Sequence, residues 1–187
     1  MDEVALVVLL AAWPAYRSFM QDYSLLLVDT RTIAKQWFEV NVPSGAKVLV
    51  EGGKTGPKRE SVQLSESRES LERRIEYWRR VEPQQAKFLE IKLAVQQGVG
   101  YDLELVRLSS IETLDRYAAA GVEYFVVRPG YFVESRKAVS VAARLLEQLR
   151  TDPRVTLIRR FAPESKWHPG IPVEIYRLNP AAHPVQG

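Results

Sequence analysis

Tyr124-Phe125-Val126-Val127 (YFVV) decides the fold, because its four consecutive apolar residues leave no polar face. A short apolar run that follows Gly121 is typical of a β-strand covered on both faces. Strands of this kind occupy the centre of a sheet that carries helices on both sides. The segment therefore predicts an α/β fold with this strand near its middle.

The sequence on either side of this strand alternates between extended and helical patterns. Further strands are predicted at Lys47 to Glu51, Val62 to Leu64, Tyr101 to Leu108, Val155 to Phe161 and Val173 to Leu178. Apolar residues at helical spacing predict four helices. Their inward faces are made of Ile33, Trp37 and Val40; Leu71, Ile75 and Trp78; Phe88, Ile91 and Val95; and Val139, Ala142, Leu146 and Leu149. A fifth helix is predicted to begin with a capping box of Ser109 and Glu112 and to end at Gly121.

This succession predicts an open, mixed, mostly parallel sheet with helices on both faces. The last two strands are separated only by the irregular stretch 162–172, which has no room for a crossover helix, so we expect them to pair antiparallel at one edge. The predicted organisation is a short apolar N-terminal helix within residues 1–23, one α/β domain at 24–180 and a flexible tail at 181–187.

Composition excludes several classes of function. The chain has 187 residues and a formal net charge of only +3, which is too small to indicate a nucleic-acid partner. It contains no cysteine, which excludes a disulfide scaffold, a cysteine nucleophile and a thiolate zinc site. Its two histidines, His168 and His183, are too few for a histidine-rich metal site or an ordinary serine hydrolase. Composition therefore argues against most familiar catalytic designs, and we name no catalytic, cofactor-binding or metal-ligating residue in this chain.

The N-terminus carries an apolar run from Val4 to Tyr16 (VALVVLLAAWPAY). A membrane span needs about 20 residues, and a signal peptide would begin with basic residues where this chain has Asp2 and Glu3. Two interpretations remain, a buried first helix or the last turns of a transmembrane helix that begins upstream of Met1. Aromatic and basic residues follow the aliphatic ones, as they do where a helix leaves a bilayer. The expected membrane interface is Trp13, Tyr16 and Arg17.

Two short motifs suggest other chemistry. Gly53-Lys54-Thr55 follows a strand as a phosphate-binding loop does, but the earlier glycine of that motif would fall at Val48, and Gly56-Pro57 stands where a helix should begin. Asp102 and Glu104 project to one face of a strand and could hold a metal ion, although alternation of polar and apolar residues explains them better. We therefore interpret the first motif as a mobile surface loop and the second as strand surface.

The stretch from Ser65 to Gln97 is densely charged with both signs. Glu69 with Arg73, and Glu76 with Arg80, stand four residues apart and are predicted to stabilise an exposed helix. A solvated helix surface is the favoured interpretation, and anionic headgroups are an alternative partner for these arginines if a membrane lies alongside.

Five blocks of the chain together resemble a family of membrane enzymes. They are Asp29 to Phe38, Asn41 to Glu51, Val122 to Val127, Arg160 to Pro163 and Pro169 to Leu178. They resemble the region after the last transmembrane helices of GT-C membrane glycosyltransferases, the relatives of the protein O-mannosyltransferases and the lipid A aminoarabinose transferases. The resemblance covers most of the chain from Asp29 to Leu178.

The resemblance implies a non-catalytic extracytoplasmic α/β domain of an enzyme that transfers a sugar from a polyprenyl-phosphate carrier. Its catalytic acid would lie in an extracytoplasmic loop between transmembrane helices, outside this chain. We therefore expect a membrane-associated domain that packs on the transmembrane region and shapes the acceptor cleft.

Two functions of other classes remain open. One is a free-standing soluble α/β enzyme that acts on a phosphorylated small molecule through the loop from Gly52 to Gly56. The other is an interaction module that docks a protein partner on its charged helices, with Arg73 and Arg74 in the interface.

Overall fold

A five-stranded mixed sheet forms the centre of the molecule. The computed structural model describes residues 3–53, 56–96, 98, 100–107, 110–130, 139–165 and 167–179. The strands are β1 (Lys47–Glu51), β2 (Asp102–Val106), β3 (Tyr124–Val127), β4 (Val155–Phe161) and β5 (Val173–Leu178). Their spatial order is β2-β1-β3-β5-β4, with β1 parallel to β2 and β3, and β5 antiparallel to β3 and β4. The predicted antiparallel pairing of the last two strands is confirmed.

Six helices of the described residues surround the sheet. They are α1 (Glu3–Leu26), α2 (Thr30–Asn41), α3 (Arg68–Val81), α4 (Pro83–Val95), α5 (Leu114–Ala119) and α6 (Val139–Thr151). The helix α1 has 24 residues and continues through Pro14, so it extends well beyond the predicted apolar run. The predicted tail at 181–187 lies outside the described residues.

The sheet has a separate hydrophobic core on each face. Phe125 and Val127 of β3 point to one face, where α5 and α6 contribute Leu114, Leu145 and Leu149. Tyr124 and Val126 point to the other face, where α2 contributes Ala34 and Phe38. All four residues of β3 are buried, as the YFVV run predicts. The predicted α/β fold with helices on both faces is confirmed.

The inward face predicted for α2 is partly wrong. Ala34 and Phe38 are fully buried, Ile33 and Trp37 are half-buried, and Val40 is 84% exposed. The small side chain of Ala34 lets α2 lie close to the sheet, and the Phe38 ring then fits between other aromatic rings of the core. The ring centroid of Phe38 lies 5.0 Å from that of Tyr101 and 5.8 Å from that of Tyr124.

The helices α3 and α4 form a hairpin with a small core of its own, made of Leu71, Ile75, Ala86 and Leu89. The inward face predicted for α3 is confirmed. The face predicted for α4 is wrong, because Phe88, Ile91 and Val95 are all more than half exposed. Apolar residues stand on every side of α4, and α3 covers only the side that carries Ala86 and Leu89.

Two further predictions need correction. Val62 and Leu64 are buried, but they lie in an irregular segment and form no strand. The helix α5 begins at Leu114, later than the predicted capping box, of which Ser109 lies outside the described residues. Burial of Ile111, and a hydrogen bond of 3.0 Å that the Glu112 N–H donates to the Tyr117 hydroxyl, favour an irregular turn before the helix.

Candidate functional site

The carboxyl ends of three parallel strands meet at one edge of the sheet. The chain passes from β1 to β2 on one side of β1, and then to β3 on the other side of β1. The crevice between β1 and β3 is therefore a topological switch point, the position where open α/β sheets most often bind ligands. We refer to this edge as the carboxyl edge.

A buried ion pair, Glu51 with Arg128, lies at the switch point. Glu51 is the last residue of β1, Arg128 follows β3 directly, and the carboxylate is completely buried. The Arg128 Nε donates hydrogen bonds of 3.1 and 2.9 Å to the two carboxylate oxygens, and its Nη2 also contacts Oε2. Burial raises the pKa of Glu51, and the Arg128 guanidinium partly offsets that effect.

A second buried carboxylate, Glu174, lies on the same face of the sheet. Glu174 pairs with Val127, and the preceding residue, Val126, pairs with Val50, so Glu51 and Glu174 lie at the same level two strands apart. At the usual strand spacing their Cα atoms are about 10 Å apart. Glu174 accepts hydrogen bonds of 3.0 and 3.2 Å from Arg150 and one of 2.7 Å from the Tyr176 hydroxyl.

An arginine holds each of the two carboxylates. We refer to Glu51, Arg128, Glu174 and Arg150 together as the charged row. Burial, and then the hydrogen bond to Glu174, raises the pKa of Tyr176 to about 12, so this phenol stays protonated at neutral pH. Each carboxylate accepts hydrogen bonds from a guanidinium, an arrangement that fixes charge and does not favour proton transfer. The charged row therefore supports the carboxyl edge structurally and orients arginine side chains there.

Sequence reasoning missed the charged row. The signal is a charged residue at the carboxyl end of each of two apolar strands, since Glu51 closes KVLVE and Arg128 follows YFVV. The two residues are 77 positions apart, and only the placement of β1 beside β3 brings them together.

The end of α1 and the start of α2 lie at the same edge. The Thr30 hydroxyl donates a hydrogen bond of 2.7 Å to the Ile171 carbonyl and accepts one of 2.9 Å from the Ile171 N–H. The His168 ring contacts the Val28 carbonyl oxygen through Nε2 at 3.0 Å. We call these contacts the clasp. Because β5 begins at Val173, beside the end of β3, the clasp holds the connection between α1 and α2 at the carboxyl edge. His168 thus has a structural role, and His183 lies outside the described residues.

The residues predicted to face a membrane lie on the surface of α1. Trp13 is 63% exposed, Tyr16 is 43% exposed and Arg17 is also exposed. The rings of Trp13 and Tyr16 stack with centroids 6.0 Å apart, and the Trp167 ring meets Tyr16 edge-on at 6.4 Å. The apolar side chains of Phe19, Tyr23, Leu25 and Leu26 are exposed on the same helix.

Asp29 provides the N-cap of α2 and an ion pair with Arg31. Its carboxylate accepts hydrogen bonds of 2.8 Å from the Arg31 backbone N–H and from the Arg31 Nε. The side-chain hydrogen bond from Arg31 holds the pKa of Asp29 below its ordinary value, more strongly than burial raises it.

The substitution Asp29→Asn tests this contribution. Asparagine retains the cap but loses the ion pair, so we expect a loss of about 0.5–1 kcal/mol in the free energy of unfolding at pH 7. The lowered pKa of Asp29 stabilises the fold above the unfolded-state value of about 3.9 and loses that effect as pH falls through the native value. Urea unfolding at pH 7 and pH 3 should show a difference between the two proteins that shrinks in acid. A difference that does not depend on pH would contradict this role.

Only the flanks of the glycine motif after β1 lie among the described residues. The Gly53 N–H donates a hydrogen bond of 2.8 Å to the Gly56 carbonyl. Residues 56–67 contain no helix whose N-terminus could hold a phosphate. Lys54 and Thr55 lie outside the described residues.

The polar residues of β2 and the charged helices pair with one another. Asp102 accepts a hydrogen bond of 2.6 Å from Arg73, so Arg73 does not form its predicted pair with Glu69. The predicted pair of Glu76 with Arg80 is present. Arg74 binds the buried carboxylate of Glu66 at 2.6 and 2.7 Å. Within the described part of the chain, no three acidic or histidine side chains form a cluster that could hold a metal.

Comparison with known proteins adds no relative. The chain matches no protein-family model, no curated protein and no solved structure.

Proposed function

We propose that this chain is a non-catalytic extracytoplasmic domain of a polyprenyl-phosphate-sugar-dependent membrane glycosyltransferase. In this proposal α1 joins the domain to the membrane region, and the carboxyl edge faces that region and shapes the acceptor cleft. The observation that carries the proposal is the uncovered apolar surface of α1, which includes Trp13, Tyr16, Phe19 and Leu26 and leads into residues held at the carboxyl edge.

The helix α1 carries large apolar side chains that the rest of the described domain leaves uncovered. Large side chains such as Phe19, Leu25 and Leu26 are between 65% and 80% exposed. An exposed apolar patch of this kind marks a surface that contacts lipid or another protein. In the described part of the chain, no helix is long and apolar enough to cross a membrane. The proposal accordingly gives α1 the role of packing against lipid and transmembrane helices.

Two of the resembling blocks support the enzyme family in this proposal. The block that begins at Asp29 and the block that begins at Pro169 are clasped through Thr30 and Ile171. Residues that resemble one family in separate parts of the chain thus form one contact at the carboxyl edge. The sugar and the acceptor are left open.

A vesicle partition experiment tests the role of α1. The double variant Trp13→Ser, Phe19→Ser should bind vesicles of neutral and anionic lipid at least tenfold more weakly than the wild type, because each large apolar side chain contributes about 1.5–3 kcal/mol when buried. Val40→Ser is the matched control, since Val40 is 84% exposed but lies on α2. Equal partition of all three proteins would contradict the proposal.

A cross-linking experiment tests the assignment to a membrane enzyme. The chain has no cysteine, so a photoreactive group can be placed at Phe19→Cys alone. Irradiation in native membranes should yield adducts with lipid and with a polytopic protein that transfers sugar from a polyprenyl-phosphate donor. Adducts confined to water-soluble proteins would favour an interaction module and would contradict the proposal.

A further inference from the structure

A cavity of about 500 Å³ lies between α3 and the edge strand β2, away from α1. Its floor is formed by Leu103 and Leu105 of β2, and Gly53 from the loop after β1 closes one end. Its size lies within the range typical of small-molecule sites. The side chains that carry the argument are Arg73, Arg74, Tyr77, Trp78, Arg107 and Ser110.

The cavity collects cations that other groups hold in place. Arg74 is held by the buried Glu66 carboxylate, which Lys92 also contacts at 3.3 Å, so two cations share one buried acid. Asp102 holds Arg73 at 2.6 Å, and 60% of the Arg73 side chain remains exposed. Guanidinium groups oriented by carboxylates are well suited to bind a phosphate group, because little side-chain entropy is lost on binding.

Arg107 provides a further cation at the mouth of the cavity. Its side chain is exposed and makes no hydrogen bond or ion pair with any described residue. The Ser110 hydroxyl lies near the Arg107 backbone, where it donates a hydrogen bond of 3.3 Å to the Arg107 carbonyl. The Arg107 guanidinium can donate to phosphate oxygens, and the Ser110 hydroxyl can do so once its proton turns away from that carbonyl.

Aromatic rings line the cavity one helical turn beyond Arg73 and Arg74 on α3. The rings of Tyr77 and Trp78 meet edge-on with centroids 5.2 Å apart, and Tyr77 is 58% exposed. Glu104 is the one carboxylate among the described side chains that line the cavity. A planar or apolar group would pack on the Tyr77 and Trp78 rings, while a carboxylate beside it can accept hydrogen bonds from hydroxyls.

We infer that this cavity binds a phosphate ester, with the phosphate on Arg73, Arg107 and Ser110 and the esterified group against Tyr77 and Trp78. The inference goes beyond the proposed function and does not depend on α1. The ester can be a soluble metabolite or the headgroup of a lipid, and the two sources share the same phosphate contacts.

Calorimetric titration of the full chain tests the inference. The probes are inorganic phosphate, phenyl phosphate, phenol and soluble dihexanoyl phosphatidic acid. Phenyl phosphate should bind at least tenfold more tightly than inorganic phosphate or phenol, because only phenyl phosphate can contact both the arginines and the aromatic rings of the cavity. Tighter binding of the short-chain phosphatidic acid than of phenyl phosphate would identify a lipid source, and the reverse order a soluble one.

Three variants separate the contacts. Arg107→Ala should weaken binding of phenyl phosphate tenfold or more without changing thermal stability. Tyr77→Ala should weaken phenyl phosphate about fivefold and leave inorganic phosphate unaffected. Arg68→Ala is the control, because Arg68 lies on α3 like Tyr77 but does not line the cavity. This variant should bind phenyl phosphate as the wild type does.

The outcomes that overturn the inference are distinct from those that overturn the proposed function. No binding of any probe at 10 mM, or equal weakening by Arg107→Ala and Arg68→Ala, would overturn the inference. The Trp13→Ser, Phe19→Ser variant should bind phenyl phosphate normally even if it no longer binds vesicles.

Discussion

Arg128→Ala is expected to lower the free energy of unfolding by about 3–5 kcal/mol, because it leaves the buried Glu51 carboxylate without its partner. Glu51→Gln should cost less, about 1–2 kcal/mol, since the amide can still accept a hydrogen bond from Arg128, and the remaining guanidinium charge is 14% exposed whereas the Glu51 carboxylate has no access to water. The raised pKa of Glu51 agrees with this order, because burial already disfavours the charged form. Urea unfolding followed by circular dichroism measures both values.

The combination of the two substitutions gives a sharper test. The double variant should be more stable than Arg128→Ala alone, because the unpaired charge is gone. The deficit of Arg128→Ala should also depend on pH, since the Glu51 pKa in that variant is raised further. It should be small near the unfolded-state pKa of about 4.3 and grow as the pH rises through the native value.

An exposed arginine, Arg144, provides the control for Arg128. Arg144→Ala removes an exposed arginine from α6 and should change stability by less than about 0.5 kcal/mol. Equal costs for Arg128→Ala and Glu51→Gln, with no dependence on pH, would show that the pair does not hold the switch point together.

Gly170→Ala is expected to be the second most damaging single change. Gly170 has φ +105°, and an added Cβ would lie 2.1 Å from the Thr30 Oγ1 and 2.7 Å from the Thr30 backbone nitrogen. Backbone strain and displacement of the clasp should together cost about 2–4 kcal/mol. Thermal and urea unfolding measure the loss.

Gly45→Ala separates the two causes. Gly45 also has a positive φ, +81°, but an added Cβ there meets no atom within 4 Å. It should therefore cost only about 1–2 kcal/mol, the price of a left-handed backbone for a residue with a side chain. Similar losses for the two variants would contradict the proposed clasp between Thr30 and the loop at Gly170.

The sequence predicts the strands well and the helix faces less well. Strands such as YFVV and VEIYRL are recognisable because their apolar content and turn residues act locally. The segment from Val62 to Leu64 is an exception, since the side chains of Val62 and Leu64 are buried although the segment forms no strand. The face of α4 was misjudged because a helix that is apolar all round can turn either side inward, and only the position of α3 decides which.

The candidate site depends on contacts that local patterns do not encode. The pairing of Glu51 with Arg128 follows from the order of strands, and the clasp of Thr30 with Ile171 joins residues 141 positions apart. By contrast, the order of aliphatic, aromatic and basic residues is readable along one helix, and the membrane interface that it predicts at Trp13, Tyr16 and Arg17 stays a prediction.

The position of labelled cysteines in the presence of vesicles tests the central claim most directly. Three single variants, Phe19→Cys, Arg59→Cys and Glu123→Cys, each carry an environment-sensitive fluorophore. Phe19 lies on α1. Arg59 is exposed at the carboxyl edge, next to Lys58, whose N–H binds the Glu51 carbonyl, and Glu123 is exposed directly before β3 at the opposite end of the sheet. If α1 sets the carboxyl edge against a membrane, emission from positions 19 and 59 should shift to shorter wavelength and lose quenching by aqueous iodide, while position 123 stays unchanged. No shift at position 19, or equal shifts at positions 59 and 123, would contradict the account.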